Sequence, residues 1–362
     1  MENSQVSDSA ERVFSGNVDR ALLLQFESGK WPEQLWALAE RSGFPEVLVS
    51  QERGGFGGDW GDAQAVLRSA AAHSAPIPLA ETIVARQLLD IAGLQAPAGP
   101  ITLIEQDCGA VLQLRRSGKN LLIDGSASAV PWARWCPWAL VSAQIDGAPH
   151  LALLDLRDTA CTTLTPHENI AREPRDELRF QGTPSVAHAA LHGLAARPVW
   201  ALGALTRCIG MVGAMEATLS LCLRYARERE QFGRPIGQYQ SLQHLLAVMV
   251  EDVSSARVAT QVACKAALSA TSGFDIAVAK VRSSEAAGRC AAIAHQVHGA
   301  MGTTHEYALN FLTRRLWSWR REFGTDAHWA QALGAAAIAA GAEGFWSGMT
   351  QRNLLPADGL TP

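Results

Sequence analysis

Close pairs of cysteine are missing from this sequence. Its seven cysteines are scattered along 362 residues, and no two have the spacing of a zinc site or a redox motif, so reduced thiols are expected. A large excess of either positive or negative charge is missing as well. The formal net charge of -4 provides neither a basic surface for nucleic acid nor an acidic tail typical of disorder. An ordinary globular protein of two or three structural units is therefore expected, since one hydrophobic core rarely holds this many residues.

A long hydrophobic run free of charge is also absent. The most apolar stretch, residues 198–223, contains Arg207 and Glu216, which favours a buried helix over a membrane span. The first residues, MENSQVSDSAERVF, are polar and acidic and have the character of neither a secretory signal nor an Arg-rich transit segment. The sequence therefore predicts a cytoplasmic protein without membrane or nucleic-acid contacts.

Hydrophobic periodicity divides the chain into three blocks. Residues 18–93 show helical spacing with two glycine-rich breaks, and short strand-like runs ended by turn residues follow from residue 101 to about residue 179. The pattern then becomes helical again, with periodic segments at 198–230, 238–271, 275–299, 304–319 and 326–349. We predict an α+β protein with an all-α domain (residues 1–98), a small antiparallel β-barrel (99–185) and a C-terminal four-helix bundle (186–362).

Two groups of residues imitate binding motifs without the required context. The loop GGFGGDWGD at residues 54–62 follows no strand and is followed by no lysine, which excludes a dinucleotide fingerprint or a P-loop. His295, His298 and His305 are spaced by three and seven residues, but no carboxylate cluster accompanies them. No metal site is predicted.

The segment LRYAREREQFGRPIGQYQSLQHLLAVM, residues 223–249, is predicted to form a helix, a short turn and a second helix. Gly233 and Pro235 are typical of the end of one helix and the entry to the next. Arg229 offers a rigid cationic fork to a pyrophosphate, and Phe232 offers a ring edge to a heteroaromatic ligand. An ordinary turn between helices explains the same spacing, so the pattern alone leaves both interpretations open.

This segment closely resembles a signature of the acyl-CoA dehydrogenase family, in which an Arg precedes a Phe-Gly pair and Pro-Ile leads into a Gln-rich helix start. QVHGAMGTTHEY at residues 296–307 resembles the family's Gln-x-x-Gly-Gly-x-Gly segment except at Ala300, and Gly324-Thr325 matches its Gly-Thr pair. The order of helical, strand and helical blocks also matches. The resemblance implies FAD shared across a subunit interface of a dimer or a homo- or heterotetramer, with contacts from Arg229, Gln231, Phe232, Ile236, Tyr239, Gln296, Gly299 and Thr325.

The resemblance implies α,β-desaturation of an acyl-CoA, with electrons passed from FAD to an electron-transfer flavoprotein. Such a reaction needs a base for the α-proton. The family's usual Glu precedes the Gly-Thr pair, and that position is Phe323 here. A smaller branch places its Glu on the first bundle helix, at a position that corresponds to Gly203.

Other parts of the family pattern are weakened too. Its Thr-Glu-Pro-Gly stretch in the middle domain is reduced to Ile104-Glu105-Gln106-Asp107. Glu322 and Glu216 are the candidates for a relocated base, and an ion pair explains each of them equally well.

Three functions remain open at this point. The chain is an acyl-CoA dehydrogenase, a flavin-site-sharing subunit without its own base in a heteromeric acyl-CoA dehydrogenase, or a relative that oxidises a non-CoA substrate such as a nitroalkane or an aromatic amine. The small residues Ala201, Gly203 and Ala204 on the first bundle helix predict room for a bulky acyl group.

Overall fold

The computed structural model describes residues 2–106, 110–118, 120–145, 148–191, 197–269, 271–304 and 307–356. The first helices are α1 (Glu2–Asn17), α2 (Arg20–Glu27), α3 (Glu33–Arg41), α4 (Trp60–Ala72) and α5 (Leu79–Ile91). The strands that follow are β1 (Ile101–Glu105), β2 (Ala110–Ser117), β3 (Asn120–Pro131), β4 (Trp138–Ile145), β5 (Ala148–Asp155), β6 (Thr162–Thr165) and β7 (Arg175–Ala190). The C-terminal helices are α6 (Pro198–Glu228), α7 (Gln240–Ala266), α8 (Ser272–His298), α9 (Leu309–Trp319) and α10 (Asp326–Thr350). This order of helices, sheet and helices confirms the predicted fold class.

Side chains in the sequence fix the starts of several helices. Asp59 and Asp62 form a capping box at the start of α4, where each carboxylate accepts a backbone N–H of the other residue. Pro198 occupies the first turn of α6. Backbone N–H groups there have no acceptor within the helix, so the N–H that proline lacks costs no hydrogen bond. Thr325 caps α10 by accepting the N–H of His328 at 3.2 Å. The Gly324-Thr325 pair therefore has a local role in ending one connection and starting α10.

The strands form one sheet in the order β1-β4-β5-β7-β3-β2, and β6 pairs with β7. Neighbours are antiparallel except β1 and β4, which pair in parallel from Ile101 opposite Trp138 to Glu105 opposite Ser142. We expected a purely antiparallel sheet, and the parallel pair of β1 and β4 differs from that expectation. The chain passes through β2 and β3 before it returns to β4. Strand β7 continues to Ala190 and pairs there with β5, so the predicted division at residues 185 and 186 falls within a strand. The three domain ranges otherwise remain predictions.

Strand β1 is buried along its whole length and joins two hydrophobic cores. Ile101 and Leu103 pack with the helical core, whereas Ile104 packs with the core of the sheet. Because side chains alternate between the faces of a strand, Glu105 shares the face of Ile101 and Leu103 and lies towards the helices. The position of this carboxylate follows directly from the alternation.

Helix α6 is the central helix of the C-terminal bundle. It packs against α4, α7, α8 and α9, and α8 also packs against α7 and α10. The helix is long and apolar enough to cross a membrane by composition, but 94% of its most apolar window is buried inside the protein. The charged side chains Arg207 and Glu216 interrupt it, and α6 is a core helix as predicted.

Two further results differ from or extend the expectations. Helix α1 precedes the first predicted helical segment, and Ala10 and Phe14, one turn apart, are its fully buried apolar residues. The six cysteines in the described ranges are free thiols, in agreement with the expected reduced state. Cys108 lies outside those ranges.

Candidate active site

A cavity of about 910 Å³ lies where the sheet meets one end of the bundle. Its walls come from β1, β2, β3 and β7, from the connection between β6 and β7, from the start of α6, and from the end of α9 with the turn that follows. The lining residues are Leu103, Ile104, Glu105, Ala110, Ala127, Ser128, Ala129, Val130, Pro131, His167, Glu168, Asn169, Ile170, Arg175, Glu177, Trp200, Trp317, Ser318, Arg321, Glu322, Phe323 and Gly324. The volume is typical of a site for a small molecule or cofactor.

Phe323 and Gly203, the two expected base positions, are in direct contact. A methyl group built on Gly203 would lie 2.4 Å from the Phe323 ring, which therefore occupies the space above this glycine. Phe323 adopts a left-handed φ of 51°, and its ring also meets Trp200 edge-on at 6.2 Å between centroids. The structure thus brings together two positions 120 residues apart, and neither carries a proton acceptor.

This contact corrects the prediction of a pocket widened by small residues of α6. The space at Gly203 is filled by Phe323, and Ala201 and Ala204 are buried in the helical core. Trp200 is the residue of α6 that faces the cavity among those the structure describes. The spacing of small residues failed as a signal because it does not show what packs against them.

Gly203→Ala is expected to destabilise the protein by about 1–3 kcal/mol, because the added methyl overlaps the Phe323 ring. Urea unfolding measures this loss, and the double substitution with Phe323→Ala is expected to show strong coupling between the two sites. Gly334→Ala is the matched control in α10, where nothing lies within 4 Å, and is expected to be neutral or stabilising. Equal effects at positions 203 and 334 would contradict the packing.

Glu322, the first candidate base, is held in a buried charge cluster. Its carboxylate accepts hydrogen bonds from Arg175 at 2.9 Å, from Arg207 at 2.7 Å and from Asn169 at 3.1 Å. Burial alone would raise its pKa, but the guanidinium groups of Arg175 and Arg207 outweigh burial and lower the pKa to about 2. A carboxylate of such low basicity is poorly suited to remove a carbon-bound proton.

The cluster continues away from the cavity and ties four elements together. Arg207 on α6 also pairs with Glu81 on α5 at 2.6 Å, and Arg175 on β7 pairs with Glu173 at 2.9 Å. Glu173 in turn contacts Arg315 on α9 at 3.1 Å. Three carboxylates thus face three guanidinium groups, a balance that buried charges require.

Glu216, the second candidate base, lies elsewhere. Its carboxylate lies 3.2 Å from Arg68 and 3.6 Å from Arg257, and it does not line the cavity. Its side chain is 25% exposed. The ion-pair interpretation offered for Glu216 agrees with these contacts.

Glu105 is a cavity-lining carboxylate that the sequence had not singled out as a functional group. It is buried, and it accepts the backbone N–H of Trp200 in the first turn of α6 at 3.0 Å. Burial raises its pKa to about 8, although the Trp200 N–H and the charge of Arg197 act in the opposite direction. The folded-state pKa lies above the ordinary value of 4.5. The contribution of Glu105 to the free energy of unfolding therefore falls as pH rises from about 4.5 to 8.

Lys280 supports the turn that carries Glu322 and Phe323. Its side chain is fully buried in α8, and its Nζ donates to the carbonyls of Trp319 and Arg320 at 3.1 and 3.2 Å. These carbonyls end α9, where a cation is favourable. Burial lowers the pKa of Lys280 to about 8.

The segment around Arg229 forms a hairpin instead of a simple turn. Glu230 and Gln231 pair with Pro235 and Arg234, and the two central residues, Phe232 and Gly233, have φ angles of 52° and 79°. Positive φ at both positions is typical of a type I′ turn. The prediction of a plain interhelix turn missed this hairpin, because the run of charged residues concealed the strand pairing.

The predicted cofactor contacts on this hairpin lie apart from the cavity. Phe232 is 95% exposed, and Arg229 and Gln231 are exposed as well. Tyr239 donates its hydroxyl to the Gln231 carbonyl at 2.8 Å, and the Arg234 guanidinium lies 4.2 Å from the Tyr239 ring centroid. Half-buried Ile236 packs against the bundle core. The role of these residues in binding FAD remains a prediction.

The remaining predicted contacts lie at two helix ends. Gln296 is exposed in the last turn of α8, and Gly299 follows that helix with a φ of 58°. Thr325 caps α10 beside the cavity-lining Gly324. Among the described residues no group of His, Cys, Asp and Glu has metal-binding geometry, and His305 and Asp107 lie outside them.

The residues that sequence reasoning missed are mostly buried charges. Arg175, Arg207 and Glu81 meet only through the packing of β7, α6 and α5. A signal was present for one of them, because an arginine within the most apolar stretch of the chain requires a buried partner.

Comparison with known proteins extends this description. The family model for the acyl-CoA dehydrogenase C-terminal domain matches residues 199–338. The acyl-CoA dehydrogenase IpdE2 of Mycobacterium tuberculosis is 27% identical over 291 residues, which cover 79% of this chain and 80% of that protein. Glutaryl-CoA dehydrogenase of Desulfococcus multivorans is 35% identical over 147 residues, which cover 39% and 33%.

A solved structure shares the fold over nearly the whole chain. The ChsE4-ChsE5 complex from Mycobacterium tuberculosis contains a chain that superposes with a TM-score of 0.83 at 21% identity, covering 93% of this chain and 97% of that one. The matched C-terminal domain, the relatives that align over most of the chain and the shared three-part architecture agree. Residues 199–338 match the acyl-CoA dehydrogenase family, and the comparisons over most of the chain indicate the same family.

Proposed function

We propose that the chain is a subunit of an FAD-dependent acyl-CoA dehydrogenase and that its cavity holds an acyl thioester beside the flavin. The observation that carries this proposal is the cavity between the sheet and the bundle, bounded by residues 321–324, which directly precede the Thr325 cap of α10. The family match supports both the reaction class and FAD as the cofactor.

The residues present fit a flat aromatic cofactor. The wall contributed by β3 carries small side chains at Ala127 and Ala129, which leave room for a ring system. Two buried polar atoms of lining residues, Trp200 Nε1 and Ser318 Oγ, have no hydrogen-bond partner among the residues that the structure describes. Unsatisfied buried polar atoms are rare and call for a ligand or water.

The chain's own side chains define what the site can do. FAD, when bound, supplies the acceptor for the hydride that leaves the β-carbon. Leu103, Ile104 and Phe323 provide an apolar surface for an acyl chain and exclude water from it. The α-proton needs a separate acceptor, and neither Phe323 nor Gly203 supplies one.

The missing proton acceptor supports a second candidate function. In this function the chain is a subunit that shares a flavin site but relies on a sister chain for proton abstraction. Phe323 fills the space at Gly203, and Glu322 is tied to Arg175 and Arg207. Solved relatives include a complex of two chains, ChsE4 and ChsE5. We propose a tetramer with a related subunit, an electron-transfer flavoprotein as electron acceptor, and a cytoplasmic location.

The visible spectrum of the purified protein tests the two functions. A chain that is yellow when purified alone, and whose flavin absorbance bleaches on addition of an acyl-CoA, is an independent dehydrogenase. A colourless chain that gains flavin and turnover only when co-expressed with a second family member encoded nearby is a subunit of a heteromer. Absence of acyl-CoA binding in both preparations would contradict the proposal.

A further inference from the structure

Three aromatic side chains meet where α6 and α8 end and α9 begins. The Tyr225 ring on α6 stacks on His298, the last residue of α8, with 4.5 Å between the centroids and 30° between the planes. Tyr307, just before α9, contacts both rings, with its centroid 5.0 Å from that of His298 and 6.4 Å from that of Tyr225. His298 at the centre is 3% exposed. These three residues, the aromatic clasp, do not line the cavity.

Hydrogen bonds define the tautomer of His298. Its Nδ1 lies 2.8 Å from the carbonyl oxygen of Ala294, which can only accept, so Nδ1 carries the proton. Nε2 then accepts the hydroxyl of Tyr307 at 3.2 Å. Burial lowers the pKa of His298, which favours this neutral form. The clasp therefore combines ring contacts with one directed hydrogen bond between its members.

The clasp holds the base of the hairpin that carries Arg229. The Tyr225 carbonyl accepts the Arg229 N–H at 2.8 Å, and the Arg229 carbonyl accepts the Ile236 N–H at 2.8 Å. A methyl group built on Gly237 would lie 2.9 Å from the Ala226 carbonyl oxygen, so the chain leaving the hairpin also lies against the end of α6. The hairpin therefore begins and returns at the turn of α6 that contains Tyr225.

The clasp also holds the end of α8. His298 follows the predicted contact Gln296 by two residues and directly precedes Gly299, whose φ is 58°. A methyl group built on Gly302 would lie 3.1 Å from the His298 Cβ, so the chain after the helix folds back closely against this residue. The stacking of Tyr225 on His298 thereby joins the hairpin base to the second segment of predicted cofactor contacts.

We propose that the aromatic clasp positions these two segments as one preformed surface for FAD at a subunit interface, with His298 as the central positioning residue. This inference rests on the proposed FAD-dependent function and adds residues that act through Arg229 and Gln296 without touching the cofactor. Arg229 and Gln296 are exposed, so each has little packing of its own to order it. A surface that is ordered before binding gives higher affinity, because association then does not have to order it.

Release of FAD from the flavin-containing full-length protein, purified alone or with its related subunit, tests the proposal. The fluorescence of the released cofactor on serial dilution gives the FAD dissociation constant. His298→Ala removes both the stacking and the hydrogen bonds and is expected to raise this constant about tenfold. Tyr307→Phe removes the hydroxyl alone and is expected to raise it about threefold. His298→Phe retains a stacked ring without the hydrogen bonds and is expected to lie between the two.

Two further measurements separate positioning from a general loss of stability. At saturating FAD, the kcat and the acyl-CoA KM of Tyr307→Phe are expected to equal those of the native protein, because the clasp lies outside the cavity lining. Phe14→Leu is the stability control, since it loosens the fully buried packing of α1 in the N-terminal helices. It is expected to lower the melting temperature and to leave FAD release unchanged.

A native FAD dissociation constant in both Tyr307→Phe and His298→Phe would overturn the inference. An equal rise of the constant in Phe14→Leu would also overturn it, because the effect would then follow from lost stability. A lower kcat at saturating FAD with unchanged FAD release would contradict a role in cofactor binding. Absence of flavin from the native chain in both preparations would overturn the proposed function as well, which distinguishes that failure from the others.

Discussion

Glu322→Gln is expected to lower the free energy of unfolding by about 3–5 kcal/mol, the usual effect of breaking a buried ion pair from one side. Arg175 and Arg207 would remain buried, with Glu81 and Glu173 as their only carboxylate partners within the described cluster. Glutamine has one uncharged acceptor oxygen in place of the two carboxylate oxygens that accept from Arg175 and Arg207. Urea unfolding at neutral pH measures the effect.

The pH dependence of the same variant gives a second measurement. The pKa of Glu322 is lowered from 4.5 to about 2, so its contribution to stability is fully present above about pH 4.5 and is lost as pH falls towards 2. Glu322→Gln is therefore expected to lack this part of the acid-induced loss of stability that the native protein shows. The variant and the native protein should converge in stability at low pH.

Glu216→Gln is the control, because it removes the other candidate base from a partly exposed pair with Arg68 and Arg257. Its effect on stability is expected to stay within about 1 kcal/mol. Assay of turnover in both variants also tests the two candidate bases, and we expect unchanged turnover in Glu216→Gln. A similar loss of stability in both variants would contradict the buried cluster around Glu322.

Phe323→Glu is expected to raise the rate of flavin reduction by an acyl-CoA by about 10²-fold, the lower end of the effect of a positioned base. The residue lines the cavity, and loss of the ring opens the space above Gly203. The Arg207 guanidinium lies 5.3 Å from the present ring, but it is already matched by Glu81 and Glu322. Anaerobic stopped-flow measurement of flavin bleaching in the flavin-containing protein or heteromer gives the rate.

Phe323→Gln distinguishes the effect of the added base from the effect of the space that loss of the ring opens above Gly203. It has nearly the size of glutamate and cannot accept the proton, so its rate is expected to stay at the level of the native chain. If the glutamate and glutamine variants react at the same rate, the position does not face the α-carbon of the substrate. That result would also weaken the assignment of the cavity as the acyl site.

The three-part architecture could be predicted because its signals are local. Helical spacing in residues 198–230 matches α6, and that in residues 326–349 matches α10 to within one residue. The strand-like runs also predicted the sheet, whereas the parallel pairing of β1 with β4 could not be predicted. Which strands pair depends on the partners that the connections allow. Side chains alternate in the same way along parallel and antiparallel strands, so the alternation does not indicate the direction of pairing.

The candidate site was only partly predictable. The absence of a base at Phe323 and Gly203 could be stated from the resemblance, but their mutual contact could not. The choice between a base and an ion pair for Glu322 depended on Arg175, which lies 147 residues away. Glu105 could not be recognised as buried until β1 was placed against the start of α6.

The sequence by itself determined the order of elements, the caps of α4 and α10, and the lack of a carboxylate at the family's two base positions, because each depends on neighbouring residues or on identity alone. The tertiary structure decided which charges are buried together and which ring fills the space at Gly203. Coulombic and packing energies depend on distances between atoms, and those distances are set only when β7, α6 and the turn after α9 come together.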